Sequence, residues 1–187
     1  MALRDLPRKL TYDDYVRLPD DGQRHEILDG EHCVTPSPVP LHQRISIRLS
    51  TSLDLFVRKN GLGEVLTAPC DVVLSRHDVL EPDLLFISRQ RAGIVTEKNV
   101  QGAPDLVVEI LSDTTRRRDE GIKYDRYESF GVREYWLVDP SRQTLTVYRQ
   151  GEQGFLQAAH LSAEAGDVLT TPLLPGLRIP LAEIFPK

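Results

Sequence analysis

Cysteine is scarce in this 187-residue chain: Cys33 and Cys70 are the only two, far apart and with no CxxC pair. That excludes a disulfide scaffold and a cysteine-built metal cage, and predicts two buried, reduced thiols. Long apolar runs are missing too. None approaches the ~18 residues needed to cross a bilayer, and the N-terminus, MALRDLPRKLTYDDY, lacks the apolar core of a signal peptide. The expectation is a cytoplasmic chain with no membrane segment. Nor is there a basic excess. With 23 Lys+Arg against 28 Asp+Glu, the formal net charge is -5, which excludes a protein that grips nucleic acid by bulk charge but not one with a local basic groove. GxSxG, Walker, GxGxxG and HExxH motifs are absent, and the histidines at 25, 32, 42, 77 and 160 show no metal-ligand spacing. Nucleophile elbows and phosphate-cradling loops lose weight accordingly.

What remains is ordinary globular composition, 40% hydrophobic and 27% charged. Length favours one domain over 1–187, able to bury roughly 70% of its unfolded surface without a staple. Thr11 and Asp14 mark a helix start. HEILDGEHCVT reads as a hairpin about Asp29-Gly30. From Leu41, apolar Ile45, Leu49, Leu53 and Phe56 recur at helical spacing, with His42 on the same stripe, as far as Asn60-Gly61. Three strands are expected in GEVLTAPCDVVLS, PDLLFIS and PDLVVEILS, the last two central because both their faces are apolar. A charged helix then runs from Ser112–Thr115 to Gly131. REYWLVDP and TLTVYR form a second hairpin, followed by two weak strands. The order of elements gives an α/β (α+β) fold with a mixed sheet, an N-terminal hairpin and a C-terminal β extension.

Within this pattern several acids are out of place. Glu109 sits inside DLVVEIL, a strand that otherwise reads as core, and a buried carboxylate requires a cation, a metal or a cleft. A structural ion pair with one of Arg116 to Arg118 is the alternative. Asp83, after Pro82, gains weight only as a spatial neighbour of Glu109, since adjacent strands lie ~4.8 Å apart and two such carboxylates could share one divalent ion. Lys123, at helical spacing with Tyr127 and Phe130, points toward the sheet or snorkels past it. Glu26, at the edge of the first hairpin, is a fourth candidate; Asp29 and Glu31 read as turn and surface groups. Paired carboxylates with a lysine suit Mg²⁺ or Mn²⁺ and a phosphodiester substrate, the ion polarising the phosphate and the lysine offsetting charge.

The run HEILDGE, HQRISIRLS, EVLTAPCDVVLS, EPDLLFIS, GAPDLVVEILS, the Lys123 helix and GVREYWLVDP resembles the Uma-two family, restriction-endonuclease-like proteins of the PD-(D/E)XK nuclease superfamily. The likeness extends over nearly the whole chain. It implies a restriction-endonuclease-like core with flanking helices and an Mg²⁺-dependent endonuclease. By that likeness Asp83 and Glu109 would be the metal carboxylates, and Glu26 an additional acid. The superfamily lysine is expected two residues after the glutamate, where Leu111 stands, so Lys123 would substitute from the following helix. His42 and Asp105 fall in motif segments, and Ser112-Asp113 departs from a more usual Ser-Pro. The implied partner is nucleic acid, DNA ahead of RNA, and a homodimer would suit two-strand cutting. Two other readings stand beside this one: a nuclease-fold binding or assembly protein without turnover, and a metal-dependent hydrolase of another phosphoester. Arg116, Arg117, Arg118, Lys123 and Arg126 are expected to supply local positive charge, diluted by Asp119, Glu120 and Asp125.

Overall fold

The computed structural model describes residues 8–186; residues 1–7, on which part of the N-terminal reading rests, lie outside the described residues. Helix α1 (Tyr12–Tyr15) carries the expected capping box, Thr11 and Asp14 each accepting the other's backbone N–H. Strands β1 (Arg24–Leu28) and β2 (Glu31–Thr35) pair across the Asp29-Gly30 turn. Both turn residues have positive φ, 51° and 82°, as a two-residue turn of this kind demands. Helix α2 (Pro40–Asn60) starts on a proline, whose missing N–H costs nothing there, and stops at Gly61 in the left-handed conformation. Its buried face is Ile45, Leu49, Leu53 and Val57. Phe56, expected on that stripe, is only partly buried.

The segment read as one strand over 63–75 is two, β3 (Gly63–Thr67) and β4 (Val72–Ser75). Pro69 between them has no N–H to give a ladder. The short β5 (Asp78–Leu80) follows, then β6 (Leu84–Ser88), a 3₁₀ turn, β7 (Val100–Gln101) and β8 (Leu106–Ile110). The expected continuous charged helix is broken into α3 (Arg116–Arg118), a π turn over Asp119–Lys123, and α4 (Tyr124–Ser129). Next come β9 (Glu134–Asp139), β10 (Thr144–Gly151), the nine-residue β11 (Gly154–Ser162), β12 (Val168–Leu169), β13 (Ile179–Pro180) and α5 (Leu181–Ile184).

Strands β11-β10-β9-β8-β6-β3 form a six-stranded sheet and β2-β1-β5-β4-β7 a five-stranded one, with β12 and β13 as a small pair. The large sheet is mixed: β8 runs parallel to β9 and antiparallel to β6, so β6 and β8 are internal, as their apolar character predicts. Alternation sorts their side chains between two faces. Leu106, Val108, Ile110, Leu84, Phe86, Trp136 and Val138 pack against α2 and α5. Val107, Leu111, Tyr135 and Leu137 meet Tyr127 and Leu28 on the other side, and Leu85 and Ile87 meet Val72 and Val100 of the second sheet. Glu109 belongs to this second face by the same alternation.

Gly63 opens β3 at φ 151°, and a Cβ there would run into the Ile87 carbonyl oxygen of β6. Gly63→Ala is expected to lower stability by about 1–3 kcal/mol, the cost of a non-glycine in such backbone. A fall in the urea midpoint with unchanged slope would register it. The two cysteines are free but half-buried rather than buried. No helix among the described residues is long and apolar enough to cross a membrane.

Candidate active site

Register brings the two strand acids together. Leu84 of β6 pairs with Val108 of β8, which sets Asp83, one step before β6, beside Glu109. The backbone N–H of Ile110 donates to Asp83 Oδ2 at 2.8 Å, tying the two strand ends directly. The remaining contacts of Asp83 are Arg24 Nη1 on Oδ1 at 3.1 Å and His42 Nε2 on Oδ2 at 3.0 Å. Glu109 Oε1 accepts from Lys123 Nζ at 2.9 Å and from the Tyr127 hydroxyl at 3.1 Å. Lys123 Nζ also lies 2.8 Å from Glu26 Oε1 and 3.7 Å from Asp119 Oδ1.

Lys123 does not snorkel: it is 3% exposed. The π turn is what brings it in, since the wider turn over Asp119–Lys123 buries both of its ends. The alternative pairing of Glu109 with Arg116, Arg117 or Arg118 does not form. Arg116 bonds Glu120 and Asp139 instead, and Arg118 donates to Val34 O and Thr35 Oγ1. Arg126 turns away to Asp29 and Asp78. The basic helix therefore leaves only Arg117 and Arg118 without a carboxylate partner among the described residues. Glu26 is not at an edge either. The unexpected β5 pairs with β1, and Glu26 is fully buried, accepting from the Glu81 N–H at 3.0 Å and from Thr35 Oγ1 at 3.3 Å. Asp105 lies apart from the site, accepting from the Ser88 N–H and pairing with Arg91 and Arg133.

Arg24, Thr35, His42, Asp83, Glu109, Asp119 and Lys123 line one cavity of about 260 Å³. Asp119 and Arg24 were not singled out from sequence. Asp119 had a signal, its i,i+4 spacing to Lys123 on the buried stripe; Arg24 had another, its period-two alignment with Glu26 and Leu28.

Charge on and just behind the cavity wall is unbalanced. Five buried carboxylates, Glu26, Glu81, Asp83, Glu109 and Asp119, face the two permanent cations Lys123 and Arg24. Burial alone would raise every one of these acids. Lys123, the Glu81 N–H and Arg24 outweigh it at Glu26 and hold that carboxyl below its usual range. At Asp83 burial is outweighed by the His42 hydrogen bond and charge, Arg24 and the Ile110 N–H. Glu109 gets too little help. Burial, with Asp119, Asp83 and Glu26 repelling it, pushes it up to about 8 despite Lys123. Asp119 is raised chiefly by burial, and its Oδ1 has no hydrogen-bond partner. The carboxylates around Lys123 overcome its burial and hold the ammonium well above the ordinary lysine range.

A sequence model of the Uma2 family, described as "Putative restriction endonuclease", matches residues 12–182. The chain belongs to the Uma2 family. No curated protein matches it. In fold, this Uma2 chain is similar to a solved structure from Anabaena variabilis ATCC 29413, described as a putative nuclease belonging to DUF820. The TM-score is 0.79 at 20% sequence identity, over 94% of this chain and 97% of that one. That likeness concerns the architecture: mixed sheets with helices against them.

The Uma2 site can be tested for a divalent ion by its donors. Among the described residues, no group of three or more His, Cys, Asp or Glu side chains is arranged to hold a metal. An ion would therefore rest on one or two carboxylates and water, the manner in which Mg²⁺ is usually held. The excess negative charge, the unpartnered Asp119 Oδ1 and the destabilised Glu109 carboxylate all favour a cation. The donor set fits.

Proposed function

We propose that this chain is a metal-dependent nuclease that hydrolyses phosphodiester bonds in nucleic acid, with DNA the first substrate to test and RNA the second. The observation that carries the reading is the shared cavity of Asp83, Glu109 and Lys123, where carboxylate exceeds cation. Asp83 and Glu109 would hold Mg²⁺ or Mn²⁺. Such an ion supplies Lewis acidity, offsetting phosphate charge and making water more acidic. The chain's own groups do the rest. Lys123 Nζ, fixed between Glu26 Oε1 and Glu109 Oε1, presents positive potential where negative charge develops on the phosphate. Glu26 acts as a positioning residue, anchoring that ammonium from the second sheet. Arg24 steadies Asp83 through Oδ1. Tyr127, donating to Glu109 Oε1, keeps the other oxygen of that carboxylate turned to the cavity.

One observation favours the reading without turnover: both Asp83 oxygens are already engaged by protein groups. The decisive experiment incubates purified protein with Mg²⁺, Mn²⁺ or EDTA against supercoiled DNA, linear DNA and RNA. Cleavage is expected with either ion, not with EDTA, and not with Glu109→Ala. Equal activity in that variant, or none in the wild type on any substrate, would sink the nuclease reading; calorimetric Mg²⁺ binding without cleavage would favour the binding protein. A homodimer is part of the same proposal, since paired sites suit two-strand cutting.

A further inference from the structure

The catalytic cavity is small and recessed. Asp83, Glu109 and Lys123 are 5%, 3% and 3% exposed, and the space of about 260 Å³ above them is walled in part by Pro36, Pro38 and Val39 and by Ser112, Thr114 and Thr115. Ligand pockets generally run to roughly 300–1,000 Å³, so this one has room for a phosphate and its sugar but not for a base pair. A second cleft of about 340 Å³ adjoins it, and Val39, His42, Ser112 and Thr114 line both. The rest of its apolar wall is Leu41 from the first turn of α2, Leu111 just after β8, and Pro140 between β9 and β10. Val39 and Leu41 are 59% and 39% exposed, so apolar surface stands uncovered beside the catalytic cavity.

Charge decides which part of a nucleotide suits this second cleft. Arg116 is its one arginine or lysine among the described residues. That guanidinium is already held by Asp139 at 2.9 Å and Glu120 at 3.1 Å, and Asp139 Oδ1 also accepts from Ser141 Oγ at 2.7 Å. Asp113 adds an exposed carboxylate to the lining. A phosphate would meet acids here and no uncommitted cation. A flat, uncharged group would meet Val39, Leu41, Leu111 and Pro140 on its faces, with the hydroxyls of Ser112 and Thr114 available to its edge. We propose that this cleft receives a nucleobase turned out of its stack, next to the phosphate held at Asp83 and Glu109, a placement that rests on the nuclease reading. The substrate class is then a strand with unpaired nucleotides, in DNA or RNA.

Pulling a base out of a duplex carries an unpairing cost that an unpaired base is spared. With Mg²⁺, a single-stranded oligonucleotide is therefore expected to be cut at least about 10-fold faster than the same sequence in a blunt duplex. Parallel DNA and RNA strands show which sugar is accepted. Removing one base at a time should raise KM about 10-fold at a position beside the cut. Ser141→Trp, filling the cleft from an exposed turn outside the catalytic cavity, should raise KM similarly on the intact strand and erase the need for that base. Leu41→Trp fills it from α2 should the first variant fail to fold, as its urea midpoint would show. Equal cutting of single strand and duplex, no position that needs its base, or unchanged KM in a folded tryptophan variant overturns the proposal. A second arm needs no cleavage. Adenosine and cytidine, which carry no phosphate, should shift the methyl NMR signals of Val39, Leu41 and Leu111 and leave the core residue Leu53 unmoved. Absence of those shifts overturns the base cleft. A wild type that cuts no strand yet gives them defeats the nuclease reading and leaves the cleft assigned.

Discussion

Lys123→Met will lower folding free energy by about 3–5 kcal/mol, the cost of removing one partner from a buried ionic group, and will abolish cleavage. The methionine fills much the same volume, so the loss is electrostatic rather than a cavity. Glu26 and Glu109 lie 2.8 and 2.9 Å from Nζ, Asp119 lies 3.7 Å away, and all three are buried. Without the ammonium they have no cation of their own except through Arg24. Because the folded-state value of Lys123 is raised, its contribution is complete below the ordinary lysine range near 10.4 and is lost only as pH climbs through the folded value. The wild type thus keeps it at every working pH. The variant can recover only by protonating its acids, so its deficit should be larger at pH 8 than at pH 6. Urea unfolding at the two pH values measures this. Adding Glu26→Gln should return part of the stability and none of the activity. A single variant as stable as the wild type at pH 8 would contradict the buried-ion account of Lys123.

Glu109→Gln should have the opposite effect on stability. The folded-state carboxyl of Glu109 is raised to about 8 from an ordinary value of 4.5. The folded protein therefore binds this proton more tightly than the unfolded chain, and the favourable linkage present below about 4.5 is lost as pH rises through 8. Glutamine keeps an oxygen for Lys123 and Tyr127 and has no proton to lose. Its stability should fall less between pH 5 and 8.5 than that of the metal-free wild type, and the two curves should diverge toward the alkaline end. Function should move the other way. Outer contacts of a metal site are worth roughly 10–100-fold in affinity or activity, so removing a direct carboxylate should cost at least about 100-fold in Mg²⁺ affinity by calorimetry. The wild type should release a proton on binding Mg²⁺ below pH 8, and the variant should not. Parallel pH–stability curves would place the destabilised acid elsewhere.

How much of this was legible differs residue by residue. Glu109 stood out because one charge in an apolar strand contradicts its neighbours, and period-two alternation assigns its face. Asp83 needed only the pairing of two adjacent strands. Glu26 was placed at an edge because β5, three residues long, gives almost no periodic signal, and β5 is what covers it. The charged segment over 114–131 fits a regular helix, and composition carries no mark of a π turn; Asp119 was therefore missed while Lys123 was expected near the sheet. The basic groove failed for a different reason. Glu120, four residues after Arg116, already dilutes the positive charge in the sequence, but Asp139, Asp29 and Asp78 neutralise Arg116 and Arg126 through contacts that only the fold creates. Paired acids and arginines at unknown separation cannot be cancelled by inspection.

The π turn also sets how tolerant this site can be to changes in chain length. A lysine on a strand is held in phase by the ladder on either side, and a neighbouring loop can grow without moving it. Here the phase is rotational. Each residue turns an α-helix by about 100°, so a residue lost from α3 would swing the ammonium a quarter-turn or more off the carboxylates, unless the wide turn closed to an ordinary one and took up the difference. Sequence drift can therefore exchange the residue types of this segment, but the residue counts of α3 and the π turn are bound to each other by the chemistry.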